Sequence, residues 1–180
     1  MFRPLILLGV LLGFSATLVA DSSDPYSDYR DKSDYNEAFE VPWIELEAKV
    51  KQPPGKNLME ARIADLPVGM QLFVDMDSIE VGSDKVTRTW LVAKSRSGAY
   101  NASYEGLRCA DYFYKVYAYY NPKRSEPLRE KDLPQWREAR LGRYRHELMR
   151  EFICNGTRPE PVNEVADNLR KEAGSYQSPY

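Results

Sequence analysis

The sequence predicts an α+β fold: an antiparallel β-meander of about five strands with one C-terminal α-helix packed on it. Three observations carry this. Five stretches between residues 58 and 119 alternate apolar and polar side chains in the manner of strands. The connections between them are short, and none holds a helix of the length a parallel crossover needs. Apolar residues at helical spacing appear later, at Leu141, Tyr144, Leu148 and Phe152.

The first strand is expected at 58–63. In the second, Leu72, Val74 and Met76 alternate with Gln71, Asp75 and Asp77, and Phe73 breaks the pattern, which predicts burial on both faces. That strand continues through 78–81, and Gly82-Ser83-Asp84 turns the chain. The third, 85–94, is the clearest: Val86, Trp90 and Val92 share one face, and Thr87, Thr89 and Leu91 the other. Ser95-Arg96-Ser97-Gly98 turns the chain again before Tyr100, Ala102 and Tyr104 alternate with Asn101, Ser103 and Glu105. After Cys109, Tyr112, Tyr114, Val116 and Ala118 are expected on one face, with Phe113, Tyr117 and Tyr119 opposite. Asn121-Pro122 ends that strand, because proline cannot donate to a ladder. The helix is expected to start at Asp132, with Gln135 completing a capping box and Pro134 tolerated in the first turn, and to stop at Asn155-Gly156.

The chain divides into four parts. Arg3, an uncharged apolar run over 5–19 and a small residue at Ala20 form the pattern of a cleavable secretory signal over 1–20, cut near Ala20 or alternatively after Ala16. The run is short for a membrane span, and an uncleaved anchor is the competing reading. Residues 21–40 are acidic and tyrosine-bearing without periodicity, and are read as a flexible arm. A single α+β domain is expected over 41–156. Residues 157–180 are polar, carry Pro159, Pro161 and Pro179, and are read as a disordered tail. The expected address is the periplasm, with no transmembrane segment after cleavage.

The only cysteines, Cys109 and Cys154, predict one disulfide in an oxidising compartment. A metal site lacks ligands, with two distant cysteines and one histidine; two buried free thiols are the alternative. The net charge of -2 gives no general pull toward nucleic acid. No phosphate loop or dinucleotide fingerprint is present, so no cofactor is expected.

Catalytic candidates are sparse. The lone His146 would have to serve any nucleophilic triad, and a surface histidine is the simpler reading. Asp75 and Asp77 share a strand face and could bind a cation or move a proton, yet a solvated pair flanking a turn is the better reading. Arg137, Arg140, Arg143, Arg145 and Arg150 fall on the expected helix among Glu138, Glu147 and Glu151. They form either a solvated face or a docking face for acidic polymer, lipid headgroup or protein.

Residues 95–109, SRSGAYNASYEGLRC, are distinctive. With Phe73-Val74-Asp75, Ser78, Val81-Gly82, Trp136 and Cys154, they resemble the cryptic neisserial protein-like family over residues 43–154. Ala102 in place of valine and the tyrosine-rich stretch after Cys109 depart from the pattern. The resemblance implies a small exported envelope protein of a Gram-negative bacterium, and it brings no catalytic residues. Read from the residues alone, Ser97-Gly98 makes a hairpin turn, Gly106 marks a bulge or a close backbone approach, and Glu105 can pair with Arg108. Ser97, Gly98, Tyr104, Glu105 and Arg108 are the candidate interaction surface. The leading expectation is a non-enzymatic binding or interaction module whose partner is another envelope protein. The alternative is an inhibitor of a cell-wall hydrolase: Ser97-Gly98-Ala99 is similar, over three residues, to the inserted loop of periplasmic lysozyme inhibitors.

Overall fold

The computed structural model describes residues 42–64 and 66–175. The expected leader over 1–20, its cut near Ala20 and the arm over 21–40 lie outside the described residues.

The described chain is a mostly antiparallel β protein with a few short helices and one longer C-terminal helix, and its sheet has more strands than expected. The strands are β1 (Leu58–Ala61), β2 (Met70–Asp75), β3 (Glu80–Val81), β4 (Val86–Ser95), β5 (Tyr100–Arg108), β6 (Phe113–Tyr120), β7 (Leu128–Glu130) and β8 (Trp136–Glu138). They pair in the order β1-β2-β4-β5-β6-β7; β3 adds to β4, and β8 adds to β6 beyond the span that β7 occupies. Every pairing is antiparallel. β4 and β5 form the long central hairpin, with Trp90 opposite Tyr104 and Leu91 opposite Ser103.

Side chains alternate across this sheet, so it carries a core on each face. Leu72, Val74, Leu91 and Leu107 face one way. They pack under a short α-helix, α1 (Tyr144–Leu148), its π-helical continuation (Met149–Ile153) and the C-terminal helix α2 (Val162–Ser175). Leu148, Met149, Phe152 and Ile153 from the first pair, and Val165 and Leu169 from α2, close that core. Trp90, Val92, Ala102, Tyr104, Tyr117 and Ala118 face the other way. The predicted split of Trp90 and Val92 from Leu91 therefore stands.

The second core is roofed by the irregular segment 43–51, from which Ala48 and Val50 pack inward. Its hold on the sheet is polar as well as apolar. The Trp43 indole N–H donates to the Asp84 carbonyl (2.8 Å), and the Leu46 amide donates to the Asp84 carboxylate (2.9 Å). Arg88, buried against the same carboxylate, donates back to the Leu46 carbonyl (3.0 Å). The Glu45 carboxylate accepts from Lys115 Nζ (2.6 Å), Tyr117 Oη (2.7 Å) and Trp136 Nε1 (3.0 Å). Burial pushes the Glu45 pKa up, but these donors outweigh it and leave it below the ordinary value. Asp84 behaves likewise: burial raises it, and the bonds from Arg88 and the Leu46 amide bring it net downward.

Three expectations are corrected. First, no helix starts at Asp132. Residues 136–138 form β8, paired to β6, and Gly142 adopts a left-handed φ of 70°, which a right-handed helix cannot pass through. Leu141, assigned to the buried helical face, is 80% exposed. Second, the tail over 157–180 is not disordered throughout: β9 (Cys154–Asn155) pairs with β10 (Arg158–Pro159), and α2 follows. Pro161 stands at the very start of α2, where a missing N–H costs nothing, and its carbonyl accepts from the Val165 amide (3.0 Å). Residues 176–180 lie outside the described residues. Third, the parity expected along β6 fails after Val116. Tyr104 pairs Ala118 while Glu105 pairs Val116, so Tyr117 is an extra residue on a bulge, and it joins Ala118 in the second core.

Cys109 and Cys154 are disulfide-bonded, with Cα atoms 5.7 Å apart. The bridge ties the chain just after β5 to the end of the π-helix, stapling helix to sheet as the cysteine count predicts.

Candidate functional site

One group of exposed, unpaired cationic side chains lies on the helix side of the β6–β8 edge. β6 supplies Tyr114 and β8 supplies Arg137. The turn after β8 supplies Arg140 and Arg143, and α1 supplies Tyr144 and Arg145. Together they line an open hollow of about 520 Å³. A second hollow of about 220 Å³ shares Tyr114, Arg137 and Arg145 and adds Lys131 and Gln135, so the two form one trough.

The floor is rigid. Arg145 reaches across to β5 and binds both oxygens of Glu105, Nε to Oε2 at 2.8 Å and Nη2 to Oε1 at 2.7 Å. Glu105 is fully buried and also accepts from the Ser103 hydroxyl. The Arg145 guanidinium lies 4.3 Å from the Tyr114 ring centroid and 4.6 Å from that of Tyr144. Burial disfavours the Arg145 charge, yet the Glu105 carboxylate more than compensates, and its pKa lies above the ordinary value. Burial, and then the same carboxylate, pushes the Tyr144 hydroxyl up, so it stays a protonated donor.

The walls are different. Arg137, Arg140 and Arg143 are exposed and, among the described residues, pair with no carboxylate; Lys131 is also unpaired. The acid lining the hollow is Glu138. Guanidinium groups present planar donor forks that match phosphate, sulfate and carboxylate. Several in one concavity, backed by low-dielectric wall, focus a positive potential that raises the local concentration of anions.

The residues expected to form an interaction surface do not come together. Ser97 and Gly98 sit at the exposed tip of the β4–β5 hairpin, where Ser95 Oγ lies 2.7 Å from Ser97 Oγ and 3.1 Å from the Ala99 amide. Tyr104 and Glu105 are both fully buried and point to opposite faces of β5, so neither can meet a partner. Arg108, at the far end of β5, pairs with Asp111 rather than Glu105, and its guanidinium stacks 4.2 Å from the Trp43 ring and 5.1 Å from Trp136. Gly106 is a close approach, as expected: a Cβ there would lie 2.5 Å from Tyr117 Oη. The tyrosine, glutamate and glycine at 104–106 are thus architectural, filling one core, anchoring Arg145 and clearing space for Tyr117.

The catalytic candidates are likewise absorbed by structure. Asp75 ends β2 and is buried, which raises its pKa despite hydrogen bonds from Ser78 and the Asp77 amide. Asp77 lies beyond the strand, in a turn, and accepts from Asn57 (2.8 Å), so the two do not share a strand face. His146 stacks on Tyr112 at 4.9 Å, and its Nδ1 lies 3.2 Å from the Glu147 carboxylate. Among the described residues no cluster of three or more histidine, cysteine or acidic side chains could hold a metal ion. No helix there is long and apolar enough to cross a membrane.

Sequence reasoning found the trough's arginines but not their arrangement. It placed five on one helix, whereas the fold distributes four over a strand, a turn and a helix around a concavity. The signal that could have separated them is Gly142 within the run.

Neither a curated protein nor a solved structure matches this chain significantly. A family model does match, over residues 36–170, which spans the 43–51 segment that straps the second core, both cores, the disulfide and most of α2. On that match the chain belongs to the CNP1-like family.

Proposed function

We propose that this protein is a non-enzymatic binding module of the bacterial envelope, exported by its leader, that holds an anionic partner in the arginine trough. One observation carries the reading: Arg137, Arg140 and Arg143 line one concavity and form no ion pair among the described residues, although Glu138 lines it too, while Arg145 beneath is locked by Glu105. Arg150, by contrast, pairs with Glu147 and Glu151, and Arg170 with Asp167; Arg96, Arg124, Arg129 and Arg158 are exposed without an ion pair among the described residues, but none of them lines this trough. The test is retention on a sulfated-polymer column such as heparin. Wild-type protein is expected to elute at clearly higher salt than Arg140→Glu/Arg143→Glu, whose altered side chains are exposed and outside both cores. Equal elution of the two removes the reading.

A second reading, inhibition of a cell-wall hydrolase, is favoured by a different observation. Ser97-Gly98-Ala99 is a protruding hairpin tip held in shape by Ser95, as an inserted loop requires. Lysozyme activity measured with wild type and Ser97→Ala decides it. Slowing that weakens in the variant supports it, and no slowing of any lysozyme type ends it.

A further inference from the structure

We infer that the partner of the trough is an anionic phospholipid surface, on which the protein docks by its β7–β8 edge; the inference rests on the trough reading above and adds to it a role for two leucines. Leu133 and Leu141 are 79% and 80% exposed, and neither belongs to a core. Folding makes no use of them. Scattered exposed leucines are ordinary, but the placement of these two is not scattered. Leu133 lies in the β7–β8 connection between Lys131 and Gln135, which both line the smaller hollow. Leu141 lies in the β8–α1 turn between Arg140 and Arg143, which both line the larger one.

Each connection therefore presents an apolar prong flanked by trough-lining polar or cationic side chains, and the two prongs stand on adjoining loops at one edge of the sheet. A small soluble anion or an acidic polymer would engage the arginines and leave both leucines in water. A lipid surface engages both: guanidinium and ammonium groups meet headgroup phosphates, while the leucines enter the acyl boundary below. The arrangement suits a protein resting on a membrane, held by several modest contributions rather than by a spanning helix.

The experiment is co-sedimentation of the intact protein with vesicles of phosphatidylcholine alone and of phosphatidylcholine mixed with phosphatidylglycerol. All variants keep the same N-terminus, so the leader cannot account for a difference between them. The expected result is capture by the anionic vesicles and not by the neutral ones. Leu133→Ser/Leu141→Ser weakens that capture about tenfold or more, through lost apolar transfer, and leaves heparin retention unchanged. Val68→Ser removes an even more exposed apolar residue from the β1–β2 loop, at the opposite sheet edge, and changes nothing. Arg140→Glu/Arg143→Glu weakens capture about a hundredfold or more. Absent capture, or leucine variants that bind like wild type, overturns the lipid inference. If heparin retention dependent on Arg140 and Arg143 persists in that case, the trough reading survives alone; if it is also lost, both fall.

Discussion

Replacing Arg145 by methionine leaves Glu105 inside the protein with one hydroxyl for company. The carboxylate is fully buried, and of its three side-chain hydrogen bonds two come from Arg145 and one from Ser103. Removing one partner of a buried pair costs about 3–5 kcal/mol, because the remaining charge is uncompensated. For the roughly 130 described residues each kcal/mol moves Tm by about 4 °C, so Arg145→Met is expected to lower Tm by about 12–20 °C. The companion variant Glu105→Leu/Arg145→Met removes both charges and keeps apolar volume at each site. It is expected to recover most of the loss, since a well-packed apolar pair often equals a buried ion pair. Thermal unfolding followed by near-UV circular dichroism gives the four corners of the cycle. A loss below about 1 kcal/mol for Arg145→Met, or a double variant no better than the sum of the singles, would refute the claim that Glu105 is held in place by Arg145.

Three further outcomes follow from the same structure. Gly106→Ala places a methyl 2.5 Å from Tyr117 Oη, the atom that donates to Glu45, and is expected to cost about 1–3 kcal/mol in urea unfolding; adding Tyr117→Phe, which removes the clashing oxygen, should restore part of it, and an unaffected Gly106→Ala contradicts the close approach. Cys109→Ser/Cys154→Ser opens a loop of 45 residues and is expected to lose about 4 kcal/mol in the same assay, with no loss contradicting a staple between helix and sheet. Acid should loosen the strap. Glu45 and Asp84 have folded pKa values below their unfolded ones, so their ionised forms contribute stability at neutral pH that is lost as pH falls through and below the carboxylate range, about pH 4. Asp75, raised by burial, works in the opposite direction and offsets part of this. Glu45→Gln is expected to flatten the acid limb of a Tm–pH curve; an unchanged limb would show that Glu45 is not the group responsible.

The central hairpin was legible because Trp90, Leu91 and Val92 obey a period of two, and that period holds whenever a sheet buries both faces. β6 obeyed it only as far as Val116: a bulge depends on the partner strand, and no local pattern announces that Tyr117 will be the extra residue. The helix expected from Asp132 failed for a tertiary reason. Pairing of residues 136–138 with β6 and the bond from Trp136 to Glu45, 91 positions away, outweigh a local capping pattern. α2 was legible in principle, since Val162, Val165 and Leu169 fall at helical spacing, but nearby prolines disguised it as tail. At the site, the identity of the arginines could be read and their geometry could not. Glu105 finds Arg145 40 residues later, and only the folded chain shows that this cation is satisfied while Arg137, Arg140 and Arg143 are not.

The most direct test of the account is a side-chain NMR titration with inorganic polyphosphate, observing arginine Nε–Hε resonances. Perturbations are expected at Arg137, Arg140 and Arg143, with Arg145 nearly still in its bond to Glu105. Resonances that do not move, or that move chiefly at Arg96 beside the β4–β5 tip, would contradict it.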